Sequence, residues 1–196
     1  VKVFRSIEDK LKKHVSYIEN HLIINLSNGA AMMVPGGHNG PYLHPETPIR
    51  NTCHTIVLLL NVYPMGTKVA LVEKLIRYLV EDNPYYKNGQ FLFRSRANDT
   101  CNGVIGDAWV LEALCKARAY VSAPLEDRVD TVINEILSRM TFSSDGSYAY
   151  RFDYDKGKLS ADFTYNHQLW LYTSLADVDE NCKQKAELFL SHSLHH

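Results

Sequence analysis

No apolar run in this chain approaches the roughly 18 consecutive residues a membrane-spanning helix needs, so no segment reads as a transmembrane span. Neither sign of charge is in excess. Twenty-one Lys and Arg stand against 22 Asp and Glu, a net −1, so no overall field draws the chain to nucleic acid or an anionic membrane surface. Cysteine is sparse and scattered: Cys53, Cys101, Cys115 and Cys182 form no CxxC pair, which argues against a zinc ribbon or redox dithiol. Each lies in or beside a helical stretch, where a free thiol behaves as a small apolar residue. Reduced thiols point to the cytoplasm. Residues 1–4 have neither the apolar region nor the cleavage site of a signal peptide. With no initiator Met, a processed or trimmed start stays open. The sequence also lacks a GxSxG elbow, a P-loop and GxGxxG. His38, His44 and His54 lack HExxH spacing, so no metal and no cofactor are expected.

What is present is helical. Apolar residues make up 45% and charged residues 22% of 196, ordinary globular values with room for one domain spanning residues 1–196. Seven helical stretches of two kinds can be read. Residues 6–25 place Ile7, Leu11, Val15, Ile18 and Leu22 in one stripe behind a Ser6 N-cap. Residues 67–81 do the same with Val72, Leu75, Ile76 and Leu79, and 125–141 with Val129, Val132, Ile133, Ile136, Leu137 and Met140. A weaker stripe begins near Glu180. Between these amphipathic stretches lie charge-poor ones: 52–63 and 166–176 hold no Asp, Glu, Lys or Arg, and 103–116 holds only Asp107 and Glu112 before Lys116. Helices apolar nearly all round are buried on most sides. The alternation therefore predicts an inner and an outer layer.

Connections alternate as well. The outer-to-inner ones, 26–48, 83–102 and 142–165, are long, and the inner-to-outer ones are short. Loops this long usually have a function or structure of their own. Residues 91–93 and 147–154 read as strands, the second turning across 155–158 as a hairpin. All three long loops enter inner helices at their N-termini, so they should gather on one functional face. Asn51, Asn102 and Asn166 each stand where a long loop becomes an inner helix, 51 and then 64 residues apart. This fits a helical-hairpin repeat, or Asn serving as an N-cap three times over.

Three segments carry a resemblance. Gly36 to Tyr42 with Pro45 to His54, Cys101 to Leu114, and Phe163 to Trp170 resemble the inner-helix regions of six-hairpin, (α/α)-toroid carbohydrate-active proteins. That broad superfamily includes glycoside hydrolases, unsaturated uronyl hydrolases, sugar epimerases and the toroid domains of polysaccharide lyases. The resemblance spans most of the chain. It implies an all-α fold, an incomplete toroid of about seven helices with short β-hairpins in the long loops. It also implies acids, histidines and aromatics at the mouth of the inner barrel. A complete toroid has six hairpins and this chain reaches about three and a half. A piece of a larger toroid, a half-barrel, or a homodimer that covers the exposed inner helices is expected.

The first loop offers His38, Asn39, Tyr42, His44, Glu46, Arg50, Asn51 and His54. Arg50 and Glu46 suit recognition of a sugar acid, since guanidinium forks onto carboxylate, or simply pair with each other. The second offers Arg94, Arg96, Asp99 and Asn102, followed by Asp107 and Trp109. Asp107, one turn into an apolar helix, must be paired, hydrogen-bonded or functional. Arg94 and Arg96 are the expected structural partners. The third offers Arg151, Asp153, Asp162, Tyr165, Asn166, His167 and Trp170, with five of the chain's 12 tyrosines between 148 and 172. Flat rings with polar edges suit sugars, and cores equally.

The expected ligand is a poly- or oligosaccharide. The leading expectation is glycosidic hydrolysis by paired carboxylates, Asp107 and Glu46, with Asp99, Asp153 and Asp162 in reserve. Close behind is a lyase or epimerase in which His38, His167 and Tyr165 move a proton beside a sugar carboxylate. A non-catalytic glycan-binding or scaffolding module is the alternative from another class. His192, His195 and His196 are set aside as tail residues.

Overall fold

Helices with few charges need neighbours on nearly every side, and the computed structural model surrounds the middle one of the three so, leaving the other two partly open. It describes residues 2–34, 46–63, 67–84, 86–87, 89–91, 104–153, 157–161 and 163–194. Among them are seven α-helices: α1 (Lys2–Tyr17), α2 (Glu46–Val62), α3 (Val69–Val80), α4 (Val104–Ala117), α5 (Ala123–Leu137), α6 (Tyr165–Leu175) and α7 (Glu180–Leu194). Helix α4 packs between α2 and α6, and every residue of it except Glu112 and Lys116 is buried. Around this inner row, α1 and α3 pack on α2, α5 on α3 and α4, and α7 on α6. One continuous hydrophobic core joins both layers. No helix among the described residues is long and apolar enough to cross a membrane.

Each outer-to-inner connection carries antiparallel strands. β1 (Ile23–Asn25) pairs with β2 (Ala31–Met33), β3 (Tyr86–Lys87) with β4 (Gln90–Phe91), and β5 (Met140–Phe142) with β6 (Ala149–Asp153), which also pairs with β7 (Lys158–Ala161). The hairpin expected across 155–158 is the β6–β7 pair. The strand expected at 91–93 is present at Phe91, the other two positions lying outside the described residues. Short hairpins were expected in the long loops, but strands β1, β2, β3 and β5 were not placed in advance.

Each hairpin leans on the next outer helix along the chain. The first rests on α3, where Lys74 donates to Asn25 at 3.4 Å. Just ahead of β1, Glu19 pairs with Lys68, at the start of α3, at 2.6 Å. The second rests on α5, where the Tyr86 hydroxyl donates to Glu135 and the Arg128 guanidinium lies 5.6 Å from the Tyr86 ring. The third rests on α7, with Lys185 5.3 Å from the Phe142 ring. Close approach at two of these seams demands glycine. Gly89 has φ +74° and its backbone lies against the Glu135 carbonyl; Gly146 has φ +77°, and a Cβ there would stand 2.5 Å from Leu188 Cγ.

Four boundaries differ from the sequence expectation. Ser6 is inside α1 and caps nothing. That helix ends at Tyr17, passes through a π-helical turn (Ile18–Leu22), and gives way to Ile23 and Ile24, β-branched residues that pair with β2 instead. Its apolar stripe is buried only at Val15 and Ile18, while Ile7 and Leu11 are exposed. Helix α2 starts at Glu46, with Pro48 in the first turn, where a missing N–H breaks no helical bond. Asn51 therefore sits in the second turn and Asn166 is the second residue of α6, whose N-cap position is Thr164. Asn166 thus stands at its junction as expected though not as the N-cap, Asn51 lies one turn past its own, and Asn102 lies outside the described residues. Finally, α5 ends at Leu137, and Met140 opens β5. Between them the buried Arg139 donates to the Phe152 carbonyl at 3.2 and 3.1 Å and to the Gly89 carbonyl. That buried arginine holds the second and third hairpins together, and continuing the helix would break its bonds.

The Gly89→Ala variant combines a disfavoured backbone conformation with overpacking against α5. It is expected to lose about 2–4 kcal/mol of unfolding free energy. Urea denaturation checks this, and a loss under about 0.5 kcal/mol would remove the seam from the account.

Candidate functional site

The inner helices are held to the strands by polar side chains in their first two turns. Thr52 on α2 accepts from the Met33 N–H at 2.9 Å. Gln168 on α6 accepts from the Ala149 N–H at 2.8 Å and donates to the Ala149 carbonyl at 3.0 Å. In both cases the strand partner lies 19 residues earlier. Asp107 stands at the matching depth on α4, where Arg151 from β6 reaches both its oxygens at 3.3 Å. All of these groups are buried. The strands thus meet the inner helices at one end, as the loop lengths predicted for the functional face.

Two residues beyond each of these anchors stands a ring: His54 after Thr52, Trp109 after Asp107, Trp170 after Gln168. The three rings meet on the inner face. His54 stacks on Trp170 at 5.8 Å with planes 9° apart and meets Trp109 edge-on at 5.8 Å and 83°. The Arg50 guanidinium, one turn before His54, lies 5.6 Å from the Trp109 centroid. Beside the rings is a cleft of about 300 Å³ lined by His54, Val57, Leu58, Asn61, Glu112 and Trp170. Glu112 accepts a hydrogen bond from Trp170 Nε1 at 2.9 Å, which fixes the indole plane and places one carboxylate at the cleft wall.

Partial desolvation beside the two indoles lowers the pKa of His54 below its ordinary value although the residue stays open to solvent, the Arg50 charge lowers it further, and Glu112 opposes both. The imidazole is therefore neutral at pH 7 and able to accept a proton. The Cys53 thiol, next in sequence, is fully buried and its pKa is pushed far up by desolvation, so it is no nucleophile. Cys115 and Cys182 are likewise buried free thiols, raised to about 12 and about 11. No cluster of three potential metal ligands occurs among the described residues.

The residues singled out from sequence separate into groups. Trp109 and Arg50 belong to the ring cluster. Asp107 and Arg151 form the buried pair, Arg151 taking the place expected for Arg94 or Arg96. Asn51 is half-buried on α2. Tyr165 is exposed and stacks on Phe189 of α7 at 5.9 Å, away from the cleft. Asn166 is exposed and His167 half-buried at the start of α6. Glu46 opens α2 and Asp153 closes β6; for these two the backbone alone is described. His38, Asn39, Tyr42, Arg94, Arg96, Asp99, Asn102 and Asp162 lie outside the described residues. Glu112 and Asn61 were not singled out, and His54 and Trp170 were noted without being ranked as site residues. The signal that would have found the rings is positional: 54, 109 and 170 are separated by 55 and 61 residues and share one depth on three charge-poor helices.

Comparison with known proteins gives one informative match. The chain is 33% identical over 165 residues to a Haloferax volcanii protein named "Archaeal glycosylation protein Q". The match covers 81% of this chain and 42% of that protein, so the chain spans about two fifths of the relative's length. No family model matches, and no solved structure matches.

The buried pair and the histidine each give an expected outcome. Arg151→Met, which leaves Asp107 buried without its charge partner, is expected to lose about 3–5 kcal/mol, with part recovered when Asp107→Leu is added; denaturant unfolding of the three proteins measures it. For His54 the folded-state pKa lies below the unfolded value of ~6.5, so the unfolded state binds the extra proton first. Its contribution to stability is present above that value and is lost as pH falls through the folded pKa. An NMR titration of the His54 ring is expected to give a midpoint below that of a model peptide; an elevated midpoint would refute the desolvated environment.

Proposed function

We propose that this chain is the carbohydrate-handling part of an (α/α)-toroid protein and that a glycan lies in the cleft between α2, α4 and α6. The observation carrying this reading is the convergence of His54, Trp109 and Trp170 from equivalent positions beside Glu112 and Asn61. A pyranose offers C–H faces to rings and hydroxyls to a carboxylate and an amide, and such a wall supplies both. The alternation of inner and outer helices agrees with a toroid segment. The name of the longer relative, which speaks of glycosylation, supports a glycan as ligand. Further hairpins, or a second copy, would close the ring.

At the level of chemistry, the neutral His54 is the proton acceptor and Glu112 its carboxylate companion. That combination favours proton transfer on a sugar, as in epimerisation or elimination, with Arg50 near enough to attract an acidic substituent. Hydrolysis by two carboxylates is the second reading. Glu112 supplies one, and Glu46, Asp99 or Asp162 would have to supply the other at ~5–9.5 Å. Asp107 is no longer the leading acid, because Arg151 already engages both its oxygens.

An assay of the full protein against neutral and acidic oligosaccharides, read by reducing ends, unsaturated product and solvent deuterium exchange, separates these reactions. His54→Ala is expected to lower turnover about 10²-fold or more, and Trp170→Ala to weaken binding about threefold to tenfold. Undiminished turnover in both His54→Ala and Glu112→Gln would move the site elsewhere. Binding without turnover in the unmodified protein would favour the non-catalytic module.

A further inference from the structure

A second cavity, of about 230 Å³, opens on the opposite side of α6, between that helix, α7 and the β5–β6 turn. Its walls are aromatic. Tyr148 and Phe163 meet edge-on at 4.9 Å and 86°, forming a right-angled corner. Tyr165 and Phe189 stack at 5.9 Å and 28°, and Phe189 is backed by Tyr172 at 4.3 Å and 11°. Phe163 and Tyr165 are 62% and 56% exposed, a large apolar area for two rings that the fold could have buried. Polar groups stand at the edge: Ser193 and His192 on α7, and Ser147 on the turn.

We infer that this pocket is a binding site for a single neutral pyranose ring, separate from the cleft. Its volume is below the ~300–1,000 Å³ of sites for drug-sized ligands, so one ring fits and an oligosaccharide does not. A pyranose with equatorial hydroxyls has flat C–H faces that pack on an aromatic wall, and a perpendicular second ring closes one edge. The Ser147 and Ser193 oxygens, whose protons go to Asp145 and to the Phe189 carbonyl, are placed to accept from outward hydroxyls, with His192 beside them. Charge selects a neutral sugar. Ser147 donates through both its hydroxyl, at 2.6 Å, and its backbone N–H, at 3.0 Å, to Asp145. Ionised at neutral pH like any surface carboxylate, Asp145 sets a negative charge directly beside the lining Ser147, which disfavours a sugar acid at that edge. The inference rests on the proposal that the protein handles glycans, and it assigns this second site to a terminal or product residue held apart from the cleft.

The sequence allows the two sites to be told apart. Both tryptophans of the chain, Trp109 and Trp170, belong to the cleft cluster, whereas the outer pocket has tyrosine and phenylalanine alone as aromatic walls. Saturation-transfer NMR on the full chain, with methyl β-glucopyranoside, methyl β-galactopyranoside, methyl α-mannopyranoside and methyl β-glucuronide, is run beside tryptophan fluorescence. At least one neutral glycoside is expected to receive saturation on its C–H protons without altering the fluorescence, and the glucuronide to bind more weakly. Tyr165→Ala and Phe163→Ala, both at exposed positions, are each expected to weaken that binding about threefold to tenfold, with Trp170→Ala leaving it intact. Absence of binding by every neutral glycoside overturns the pocket, as does binding lost in Trp170→Ala and unchanged in Tyr165→Ala. A glycoside that responds to Tyr165→Ala keeps the pocket even if oligosaccharides fail to perturb the tryptophans, the outcome that defeats the cleft.

Discussion

Two charges removed from water must find each other, and here that requirement fixes the centre of the molecule. Arg151 and Asp107 are almost wholly inaccessible. One belongs to the middle strand of the third sheet and the other to the first turn of the middle inner helix. Either one buried there without the other would cost about 3–5 kcal/mol. Their contact ties β6 to α4, and β6 in turn carries Ala149, whose backbone is bracketed by Gln168 of α6. One strand therefore sets the relative position of two of the three helices whose rings meet beside the cleft. The pair lies beneath the proposed chemistry and holds its components in place.

The cleft is a product of repetition. Each unit of outer helix, hairpin and inner helix brings a polar anchor and, two residues later, a ring. The units have drifted in length, so the rings are unequally spaced along the chain, yet they arrive at one depth. Because the anchors differ (a threonine, an aspartate and a glutamine), no short motif repeats. What recurs is a buried polar group that binds a strand, through its backbone at Thr52 and Gln168 and through the Arg151 side chain at Asp107, followed two residues later by a ring.

That explains what the sequence could and could not yield. The two-layer alternation was legible because charge exclusion is local: a stretch such as 52–63 without one Asp, Glu, Lys or Arg turns most of its surface inward. The hairpin across 155–158 was legible for a similar reason, since alternation flanks a turn. Boundaries were not, where the decisive contact is distant. The helix ends at Leu137 to let Arg139 reach Gly89 and Phe152, and nothing near Met140 announces it. At the site, Asp107 was recognised as a carboxylate needing a partner, but Arg151 is 44 residues away. Aligning the units on asparagine gave a false register, because Asn166 stands at its junction and Asn51 one turn past its own; aligning on the buried anchors gives the one in which the rings coincide.

The lean of every hairpin on the following outer helix has a consequence for how such a chain can be divided. The unit that recurs in sequence and the unit that packs in space are out of phase by one helix. Excising a sequence repeat would take away the wall against which the preceding hairpin rests, and would leave a glycine such as Gly89 or Gly146 facing solvent. Natural cut points for recombination or engineering therefore lie after an outer helix's supporting seam, within the long connections, and the short links at 63–67 and 121–123 are the poorer place to part the chain.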